Sequence, residues 1–578
     1  MSFFILVKNH PPREPLDAFC ASVEPQFRRP REITAVDARI LMFVDQSDAG
    51  PAYFEAPNGD FIAVFGSLIY KKDAVPAALP SLLSDFRPDS FEWKGLVGTH
   101  TILIHKDGRL HVFCDGLGAC KLYSNKEGNI WTNSFLAMLE LCAPHVFDIQ
   151  ACYEYVCNGA VFGSRTLVEE VAALPTDTIL SVAVDEIKIL RRPSPIANEV
   201  PDVPQTLDAI ADYHCARLEQ VFEPIARNYG DLIRLSFSGG FDSRLMLAML
   251  IKYGAKPTLF VYGREDDEDL RIARTISKAE GLSLECINKG ATPVPDPEAF
   301  IEETEKNLFA FDGWKVETPL FDFGEDCEDR LKRHLDGQIP LNGSLGEIYR
   351  NFFYMPDRSS STGAVVSTFY SQYNPKAFTQ RFDETEYRSA MQAAMREAIG
   401  AESDELERSQ VEELYPKFRG RFWTGRDAQI NQRFGTMFFP YLEPAAISNT
   451  AKIPIRFKDL GFLQGRMIAR INPRLASYPS DYGFALDGPR PLKYRLKTFL
   501  STQRPAALRK LSFRITHRRQ EPRTGPLSPT YLSRVIDLEF PILRALFNIE
   551  GVNSANQYGL IATLEYLGQR YNLRVPED

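Results

Sequence analysis

Residues 231–263 form the stretch that decides the fold, DLIRLSFSGGFDSRLMLAMLIKYGAKPTLFVYG. The short apolar run 231–237 leads into a pair of glycines, and a helical spacing of apolar residues follows over 242–253 and ends at Gly254. The next run, 257–263, has the composition of a strand. A strand, a helix and a strand with short links predict two neighbouring strands of a parallel sheet.

The same pattern continues downstream. Residues 266–280 repeat the helical spacing, Gly281 follows them, and 282–288 have the composition of a third strand. Residues 300–578 have a mainly helical pattern. We therefore predict an α/β fold in which a parallel sheet precedes a largely helical C-terminal part.

The first 190 residues have a different pattern. Strand-like runs at 61–70, 99–108 and 109–116 are separated by Gly and Asp-Gly turns, as in antiparallel sheets. The stretch RRPSPIANEVPDVPQT contains four prolines, each of which removes a backbone donor and disfavours regular structure. The predicted organisation is an antiparallel β-rich α+β domain over 1–190, a linker over 191–206 and a second domain over 207–578.

Composition and charge exclude several classes of protein. The 578 residues are 44% hydrophobic and 25% charged, as in folded globular proteins. A net charge of −9 gives no general attraction to nucleic acid or anionic membrane, although a local basic patch is compatible with it. No uninterrupted apolar run reaches about 18 residues, so we expect no membrane insertion. Nine scattered cysteines without metal spacing, and a start too poor in apolar residues for a signal peptide, predict a cytoplasmic protein.

The hexapeptide SGGFDS, residues 238–243, has the most specific chemistry of the chain. Two glycines after a strand let several backbone N–H groups approach one anion, and the N-terminus of the next helix adds positive charge. Ser238 and Ser243 can donate hydroxyl hydrogen bonds to phosphate oxygens, and Asp242 can bind the accompanying Mg²⁺. The pattern indicates a phosphate site. The alternative is a tight turn in which Asp242 caps the helix.

This hexapeptide resembles the signature of the ATP-pyrophosphatase fold, and its surroundings resemble the asparagine synthetase family. In that family ATP is split into AMP and pyrophosphate, a carboxylate becomes an acyl-adenylate, and an amine attacks it to give an amide. The resemblance implies ATP and Mg²⁺ as cofactors, with Asp242 as the metal ligand. The residues that it assigns to ATP binding are Phe237, Ser238, Gly239, Gly240, Asp242, Ser243, Tyr262, Asn342 and Gly343.

A second glycine-rich stretch, LNGSLGEIYR at 341–350, resembles the family's other pyrophosphate-binding loop. Glu347 matches the family's Glu in this loop, whereas Gly346 stands where the family has Asp. The resemblance implies a catalytic role for Glu347, and the missing Asp removes one candidate metal ligand or acid–base group. A glycine-rich turn before a helix is the alternative.

Two further segments resemble family motifs. FFPYLEPAAI at 438–447 resembles a Pro-Phe-Leu-Asp segment with Glu443 in place of Asp, and a buried aromatic connection is the alternative. PLKYRLKTFL contains Lys493 and Lys497, and the resemblance implies that a lysine in this half stabilises charge on the adenylate. We therefore assign both lysines as catalytic candidates, with a solvated helix face as the alternative.

The front domain resembles the family's glutamine-hydrolysing domain, a class II amidotransferase of Ntn-hydrolase type, which needs Cys at position 2. Ser2 stands there, and Phe65 and Ser67 replace the polar residues of the glutamine pocket. FCDGLGACKLYS (113–124) keeps the family's Asp-x-x-Gly pattern, and TNSFLAMLEL (132–141) resembles the strand-to-helix step after it. We therefore predict a retained fold without glutaminase activity.

The predicted function is an ATP-dependent, AMP-forming amide ligase that joins a small-molecule or peptide carboxylate to ammonia or an amine. The amine can also lie on the same molecule, as in the similar beta-lactam synthetases and lasso-peptide cyclases. The alternative from another class is a non-catalytic scaffold that keeps the fold. Proteins of a biosynthetic assembly are candidate partners, and nucleic acid is not.

One segment, 507–523, is strongly basic and has six Lys or Arg in ALRKLSFRITHRRQEPR. Its charge is compatible with an acidic peptide or a phosphate-bearing substrate. The alternative is a solvated loop.

Overall fold

The structure is a computed structural model that describes residues 2–8, 13–23, 27–44, 50–142, 144–196, 205–264, 266–288, 294–516 and 518–577. Antiparallel sheets in the first part of the chain precede a parallel sheet and a long series of helices. The predicted α/β fold class, with a β-rich front part, a parallel sheet and a largely helical C-terminal part, is confirmed.

Over its described residues, the front part contains two antiparallel six-stranded sheets and four α-helices. Its strands are β1 Ser2–Lys8, β2 Arg31–Ala35, β3 Ala38–Val44, β4 Ala52–Glu55, β5 Phe61–Gly66, β6 Ile69–Tyr70, β7 Asp73–Ala74, β8 Leu96–Val97, β9 His100–Lys106, β10 Arg109–Cys114, β11 Tyr123–Asn125, β12 Ile130–Thr132, β13 Val171–Ala173, β14 Thr178–Val182 and β15 Ile187–Arg191. Its helices are α1 Arg13–Val23, α2 Leu79–Asp85, α3 Phe135–Leu141 and α4 Ile149–Asn158. The strand orders are β13-β11-β12-β1-β3-β2 and β15-β14-β10-β9-β5-β4, and β6, β7 and β8 form a small third sheet.

The two large sheets pack face to face between layers of helices. Successive side chains of a strand point to opposite faces, so Phe4 and Leu6 of β1 enter the core between the sheets, where Phe65 and Leu103 meet them. The alternate residues of β1 pack instead in the core that contains α1, α3 and α4. The outer face of the second sheet is covered by α2. This helix–sheet–sheet–helix order is the Ntn-hydrolase-like arrangement expected for the front domain.

The second part is built on a four-stranded parallel sheet. Its strands are β16 Ile233–Ser236, β17 Thr258–Tyr262, β18 Leu284–Ile287 and β19 Ile339–Leu341, in the order β18-β17-β16-β19. The predicted strands at 231–237, 257–263 and 282–288 are confirmed, and the predicted helices are α6 Phe241–Lys252 and α7 Glu268–Glu280. β19 lies within the region for which we predicted mainly helix, and it pairs in parallel with β16.

Helices make up most of the remaining chain. They are α5 Leu207–Tyr229, α8 Ala299–Ala310, α9 Glu325–Lys332, α10 Thr362–Phe369, α11 Glu384–Ile399, α12 Arg408–Leu414, α13 Gly425–Asn431, α14 Pro444–Ile447, α15 Ile455–Lys458, α16 Phe462–Ile471, α17 Pro473–Ser477, α18 Leu492–Gln503, α19 Ala506–Thr516, α20 Pro529–Leu532 and α21 Ala555–Tyr571. The short strands β20 Ser360–Ser361 and β21 Glu405–Leu406 pair with each other. A π-helical stretch, Tyr415–Thr424, joins α12 to α13.

The predicted linker falls between two well-defined elements. β15 ends at Arg191, and Thr206 caps α5 by accepting a hydrogen bond of 3.3 Å from the Ala209 N–H. Residues 197–204 of the linker lie outside the described residues. Across the two parts, buried Asp312 accepts from the Phe135 N–H at 2.9 Å and from Arg426 at 3.1 Å. A charge-assisted bond in a water-poor interface fixes the two parts against each other.

All nine cysteines are free thiols. Along the described residues, no helix combines the length and apolar character needed to cross a membrane.

Candidate active site

The SGGFDS loop connects the end of β16 to the start of α6, at the carboxyl edge of the parallel sheet. Gly239 has φ of +78°, a left-handed conformation that favours glycine. A Cβ at this position would also lie 2.5 Å from Cγ2 of Ile272 in α7. The positive φ and the close packing of α7 against the loop both require glycine at 239.

The first turn of α6 has the features of an anion site. Gly240 is its N-terminal cap, and no side chain of the described residues caps this turn. Its backbone N–H groups therefore keep hydrogen-bonding capacity at the positive end of the helix. The hydroxyl oxygens of Ser238 and Ser243 lie 3.5 Å apart beside it. The predicted group of N–H and hydroxyl donors is thus assembled in one place.

Arg244 ties the loop to the segment that follows α17. Its guanidinium is fully buried and donates to the carbonyl oxygens of Gly239 at 2.5 Å and Pro479 at 2.7 Å. The same segment places Asp481 beside the loop, with a carboxylate oxygen 3.6 Å from where a Cβ of Gly240 would lie. Arg244 holds the Gly239 carbonyl group toward the protein interior. The opposite side of the loop is therefore left for a ligand.

The second glycine-rich loop follows β19 and packs on the first. The Asn342 N–H donates to the Phe438 carbonyl oxygen at 3.0 Å, and the Asn342 side-chain oxygen accepts from the Ser344 N–H at 2.7 Å. A Cβ on Gly343 would lie 2.8 Å from Cε of Met246 in α6. The structure therefore brings the two predicted pyrophosphate loops together at the ends of adjacent strands.

Gly346 is in direct contact with Asp242. A Cβ at position 346 would lie 2.6 Å from the Asp242 Cγ, closer than non-bonded carbon atoms approach. The Asp that the family has at this position therefore does not fit beside Asp242 as its side chain lies here. The absence of a side chain at Gly346 therefore allows the observed conformation of Asp242.

Both carboxylate oxygens of Asp242 have protein donors. Arg350 donates to Oδ2 at 2.5 Å and Gln464 donates to Oδ1 at 2.7 Å, while the Tyr441 hydroxyl donates to the Asp242 carbonyl at 2.9 Å. Burial raises the pKa of Asp242 to about 6, although Arg350 acts in the opposite direction. Asp242 lies in the first turn of α6, but it is Gly240 that forms the cap. The carboxylate therefore participates in a charged network and does not cap the helix.

Glu347 belongs to the same network. Its Oε2 accepts from the Tyr415 hydroxyl at 2.7 Å, and its Oε1 lies 3.4 Å from Arg350. Arg350 thus lies between two carboxylates, and its second amino group donates to the Tyr482 hydroxyl at 3.1 Å. The site therefore contains a fixed cation, Arg350, to which the sequence motifs gave no role.

The residues fit the two predicted cofactors to different degrees. The uncapped helix turn, the paired hydroxyls and the glycine loop are suitable donors for the phosphates of ATP. Mg²⁺ is usually held by one or two carboxylates together with substrate phosphates. Asp242 supplies one carboxylate, and a metal there would share its two oxygens with Arg350 and Gln464, which already donate to them. Among the described residues, no group of three or more acidic, His or Cys side chains is arranged to hold a metal.

Two of the predicted ATP-binding side chains have other partners. Phe237 is 1% exposed and packs in the core, so only its backbone is available to a ligand. The Tyr262 hydroxyl donates to Asp329 at 2.5 Å and accepts from Arg333 at 2.7 Å. Tyr262 lies at the carboxyl end of β17 as predicted, with its hydroxyl held in an ion-pair network.

Lys493 and Lys497 lie on the exposed surface of α18. Tyr494 on the same helix packs against Phe484 with ring centroids 5.1 Å apart and against Tyr482 at 6.0 Å. Since Tyr482 accepts from Arg350, α18 is connected to the Asp242 network through aromatic contacts. The two lysines themselves are not part of that network in this structure.

Glu443 lies at the contact with the front part. Its Oε1 accepts from the Gly98 N–H at 2.9 Å, and burial, with nearby Asp115 adding to it, raises the pKa of Glu443 to about 8. The neighbouring Tyr441 reaches the phosphate loop, whereas Glu443 points away from it to the front sheet. The aromatic segment thus connects both parts of the protein.

The front-domain residues singled out by sequence have structural partners. Ser2 begins β1 opposite Val44, and Phe65 packs against Phe4 in the core between the sheets, with ring centroids 5.2 Å apart. The Ser67 hydroxyl oxygen accepts from the Thr99 N–H at 3.0 Å and from Gln432 at 3.2 Å. Phe65 and Ser67 are therefore engaged in packing and in the contact between the two parts.

Sequence reasoning missed four side chains of the site, namely Arg244, Arg350, Gln464 and Asp481. Arg350 is the last residue of the second loop motif, and Arg244 directly follows the first. Their positions beside the motifs were the available signal for these two. Gln464 and Asp481 come from distant helical segments and had no local signal.

Comparisons with known proteins give only distant structural similarity. The chain is similar to glutamine phosphoribosylpyrophosphate (PRPP) amidotransferase from B. subtilis in complex with ADP and GMP, at 12% identity and a TM-score of 0.22, with 50% of this chain and 65% of that chain covered. A structure described as the allosteric regulatory enzyme of purine biosynthesis matches at 10% identity and a TM-score of 0.23, with 50% and 80% covered. This chain thus spans less than two thirds of the first of these proteins. No protein-family model and no curated protein matches it. Similarity at this level carries no argument about activity, so function rests on the site.

Proposed function

We propose that this protein is an ATP-dependent, AMP-forming amide ligase that activates a carboxylate and joins it to ammonia or an amine. The observation that carries the proposal is the meeting of two glycine-rich loops at the carboxyl ends of β16 and β19. Open α/β sheets bind their ligands at this edge. The uncapped start of α6 supplies donors and positive charge for phosphates.

Each group near the loop has a role in the proposal. Ser238 and Ser243 donate to the β- and γ-phosphates, which leaves the α-phosphorus open to a carboxylate. Mg²⁺ carried with ATP neutralises phosphate charge. Glu347 is the candidate catalytic carboxylate. Lys493 and Lys497, the cations predicted from the sequence, lie outside the Asp242 network, so Arg350 is the fixed cation available for charge that develops on the adenylate.

The acid and the amine come from outside the front domain in this proposal. Phe65 and Ser67 are used in packing, which supports a front domain that keeps its fold without hydrolysing glutamine. The substrates are then a small-molecule or peptide carboxylate with ammonia or an amine, or an acid and amine on one molecule, as in a cyclase. The free thiols fit the proposed cytoplasmic location.

A second candidate function is non-catalytic, in which the fold serves as a scaffold within a biosynthetic assembly. Two observations favour it. Both Asp242 oxygens already have protein partners, and Gly346 leaves no room for a second carboxylate there. In this alternative the site binds nucleotide, or no ligand, without turnover.

The nucleotide site is tested by Gly239→Ala, with Gly254→Ala as the matched control. The two glycines have φ of +78° and +79°, so alanine meets the same backbone strain at both. The control Cβ enters open space, whereas the Cβ at 239 meets Ile272. We expect Gly239→Ala to weaken ATP binding, measured by isothermal titration calorimetry, at least about tenfold, and Gly254→Ala to leave it unchanged. Equal ATP affinity in all three proteins, or none in the wild type, contradicts the site.

Turnover separates the ligase from the scaffold. We expect carboxylate-dependent exchange of radiolabelled pyrophosphate into ATP when a panel of acids is tried with the wild-type protein. Products of ADP and phosphate would contradict the AMP-forming assignment. ATP binding without exchange for any acid, and without pyrophosphate release when amines are added, would favour the scaffold.

A further inference from the structure

The region between Asp487 and Glu521 is unusual in its charge. Residues 488–520 include ten Lys or Arg and no Asp or Glu, in a chain whose formal net charge is −9. The basic segment at 507–523 thus overlaps the second half of this longer region. A cluster of this size creates a local positive field even on an acidic protein.

The same region exposes large apolar side chains. α18 and α19 account for most of it, and seven of their apolar residues are each at least half exposed. They are Leu492, Leu496, Phe499 and Leu500 on α18, and Leu508, Leu511 and Ile515 on α19. Leu492 is 78% exposed and Leu500 60%. Apolar exposure concentrated on two consecutive helices marks a surface that contacts a partner or a membrane.

The exposed apolar residues of α18 form one stripe. Positions 492, 496, 499 and 500 have the spacing i, i+4, i+7 and i+8, which places them on one helical face. At 3.6 residues per turn, Lys493 and Lys497 lie along one border of the stripe, and Arg495 lies along the other. Tyr494, on the opposite face, packs against the protein, and buried Thr502 lies on the flank beside Arg495.

α19 repeats the apolar spacing and is anchored by its basic residues. Leu508, Leu511 and Ile515 follow at i, i+3 and i+7. Arg509 donates to the Phe353 carbonyl oxygen at 3.0 Å, and Lys510 pairs with Glu384. The outward charge beside the apolar stripe therefore comes mainly from Lys493, Arg495 and Lys497.

We propose that α18 and α19 form a docking surface for an anionic phospholipid bilayer, on which the protein lies without crossing it. An apolar stripe bordered by Lys and Arg buries its apolar side chains at the headgroup boundary while its cations meet lipid phosphates. A second copy joined through the same patch would bring the two positive surfaces together, which disfavours that occupant. Through Tyr494 and Tyr482 the bound surface adjoins the Asp242 network.

The test is co-sedimentation of the full chain with vesicles of phosphatidylcholine alone or mixed with phosphatidylglycerol. Three outward cations predict a preference for the anionic vesicles on the order of a hundredfold, reduced at high salt. The double variant Phe499→Ser with Leu500→Ser is expected to lower anionic-vesicle partitioning at least about tenfold. The matched control is Val184→Ser with Ile189→Ser, which removes two side chains that are 50% and 48% exposed on the front part, and it should bind like the wild type.

Three results would overturn the proposal. The first is wild-type protein that fails to sediment with anionic vesicles at low salt. The second is equal loss of binding in the control and the double variant. The third is a protein that does not bind vesicles but does bind a synthetic Leu/Glu amphipathic peptide. If the double variant Phe499→Ser with Leu500→Ser abolishes that peptide binding, the occupant is an acidic peptide. Circular dichroism melting of each variant verifies folding, and because the altered side chains are exposed we expect unchanged melting temperatures.

Discussion

Arg350→Gln perturbs the ion pair at the centre of the candidate site. The Arg350 guanidinium donates to Asp242 at 2.5 Å, with the two side chains 21% and 22% exposed. Breaking a fully buried pair by removing one partner costs about 3–5 kcal/mol, since an uncompensated charge is left behind. Because this pair retains some solvent and Asp242 keeps Gln464 as a donor, we expect a loss of about 2–3 kcal/mol in the free energy of unfolding at pH 8.

The loss should depend on pH. Burial raises the folded-state pKa of Asp242 from its ordinary value of 3.8 to about 6, so the neutral form is favoured and its ionisation costs stability as pH rises through 6. Arg350 opposes that shift, so Arg350→Gln raises the pKa of Asp242 further and extends the cost to higher pH. At pH 5 Asp242 is mostly protonated in both proteins, and the difference in unfolding free energy should shrink to about 1 kcal/mol or less.

Urea unfolding at pH 5 and pH 8 measures this difference. A cycle with Asp242→Asn and the double variant isolates the coupling between the two residues. Lys417→Gln is the control, because it breaks a Lys417–Glu413 pair of similar exposure, 19% and 18%, away from the loop. A loss below about 0.5 kcal/mol at pH 8, or an identical loss at both pH values, would refute the assignment of Arg350 as the partner that permits a charged Asp242.

Three more predictions concern individual residues. Asp242→Asn should lower ATP-dependent pyrophosphate release at least about a hundredfold, because Asn cannot supply a carboxylate to Mg²⁺; near-normal release would favour the scaffold. Glu443→Gln should stabilise the protein by about 1–4 kcal/mol above pH 8 and not below pH 4.5. Burial raises the folded-state pKa of Glu443 from 4.5 to about 8, so the stabilising neutral form is lost as pH rises through 8. Urea unfolding from pH 4 to pH 9 measures the difference, and no gain in stability for the variant would argue against a buried neutral Glu443. The pure protein should form no glutamate from glutamine, and sustained formation that Ser2→Ala abolishes would show a working glutaminase.

The sequence by itself determined the local architecture of the second part. The alternation of apolar runs with a 3.6-residue spacing predicted β16, α6, β17, α7 and β18, because these elements are regular enough for their period to show. It also located the glycine loop, since a strand that leads into two glycines and a helix needs only local geometry. The phosphate donors follow from the same residues.

The front sheets were predicted from turn signals and short apolar runs. Their face-to-face packing depends on which face of each strand meets the other sheet, and strand alternation alone leaves that choice open when both faces are apolar. β1 illustrates this, because Phe3 and Phe4 are both buried but in different cores. The positions of the second sheet and of α2, which covers it, determine which face of each strand enters which core.

Only the tertiary structure decided the chemistry around Asp242. Arg350 and Gln464 reach it from 108 and 222 residues away in sequence. β19 is three residues long, too short to give a periodic signal, yet its pairing with β16 carries the second loop to the first. Contacts of this kind arise from how sheets and helices pack, and no local period encodes them. The sequence therefore specified a loop suited to phosphate, and the packing placed a fixed cation beside its carboxylate.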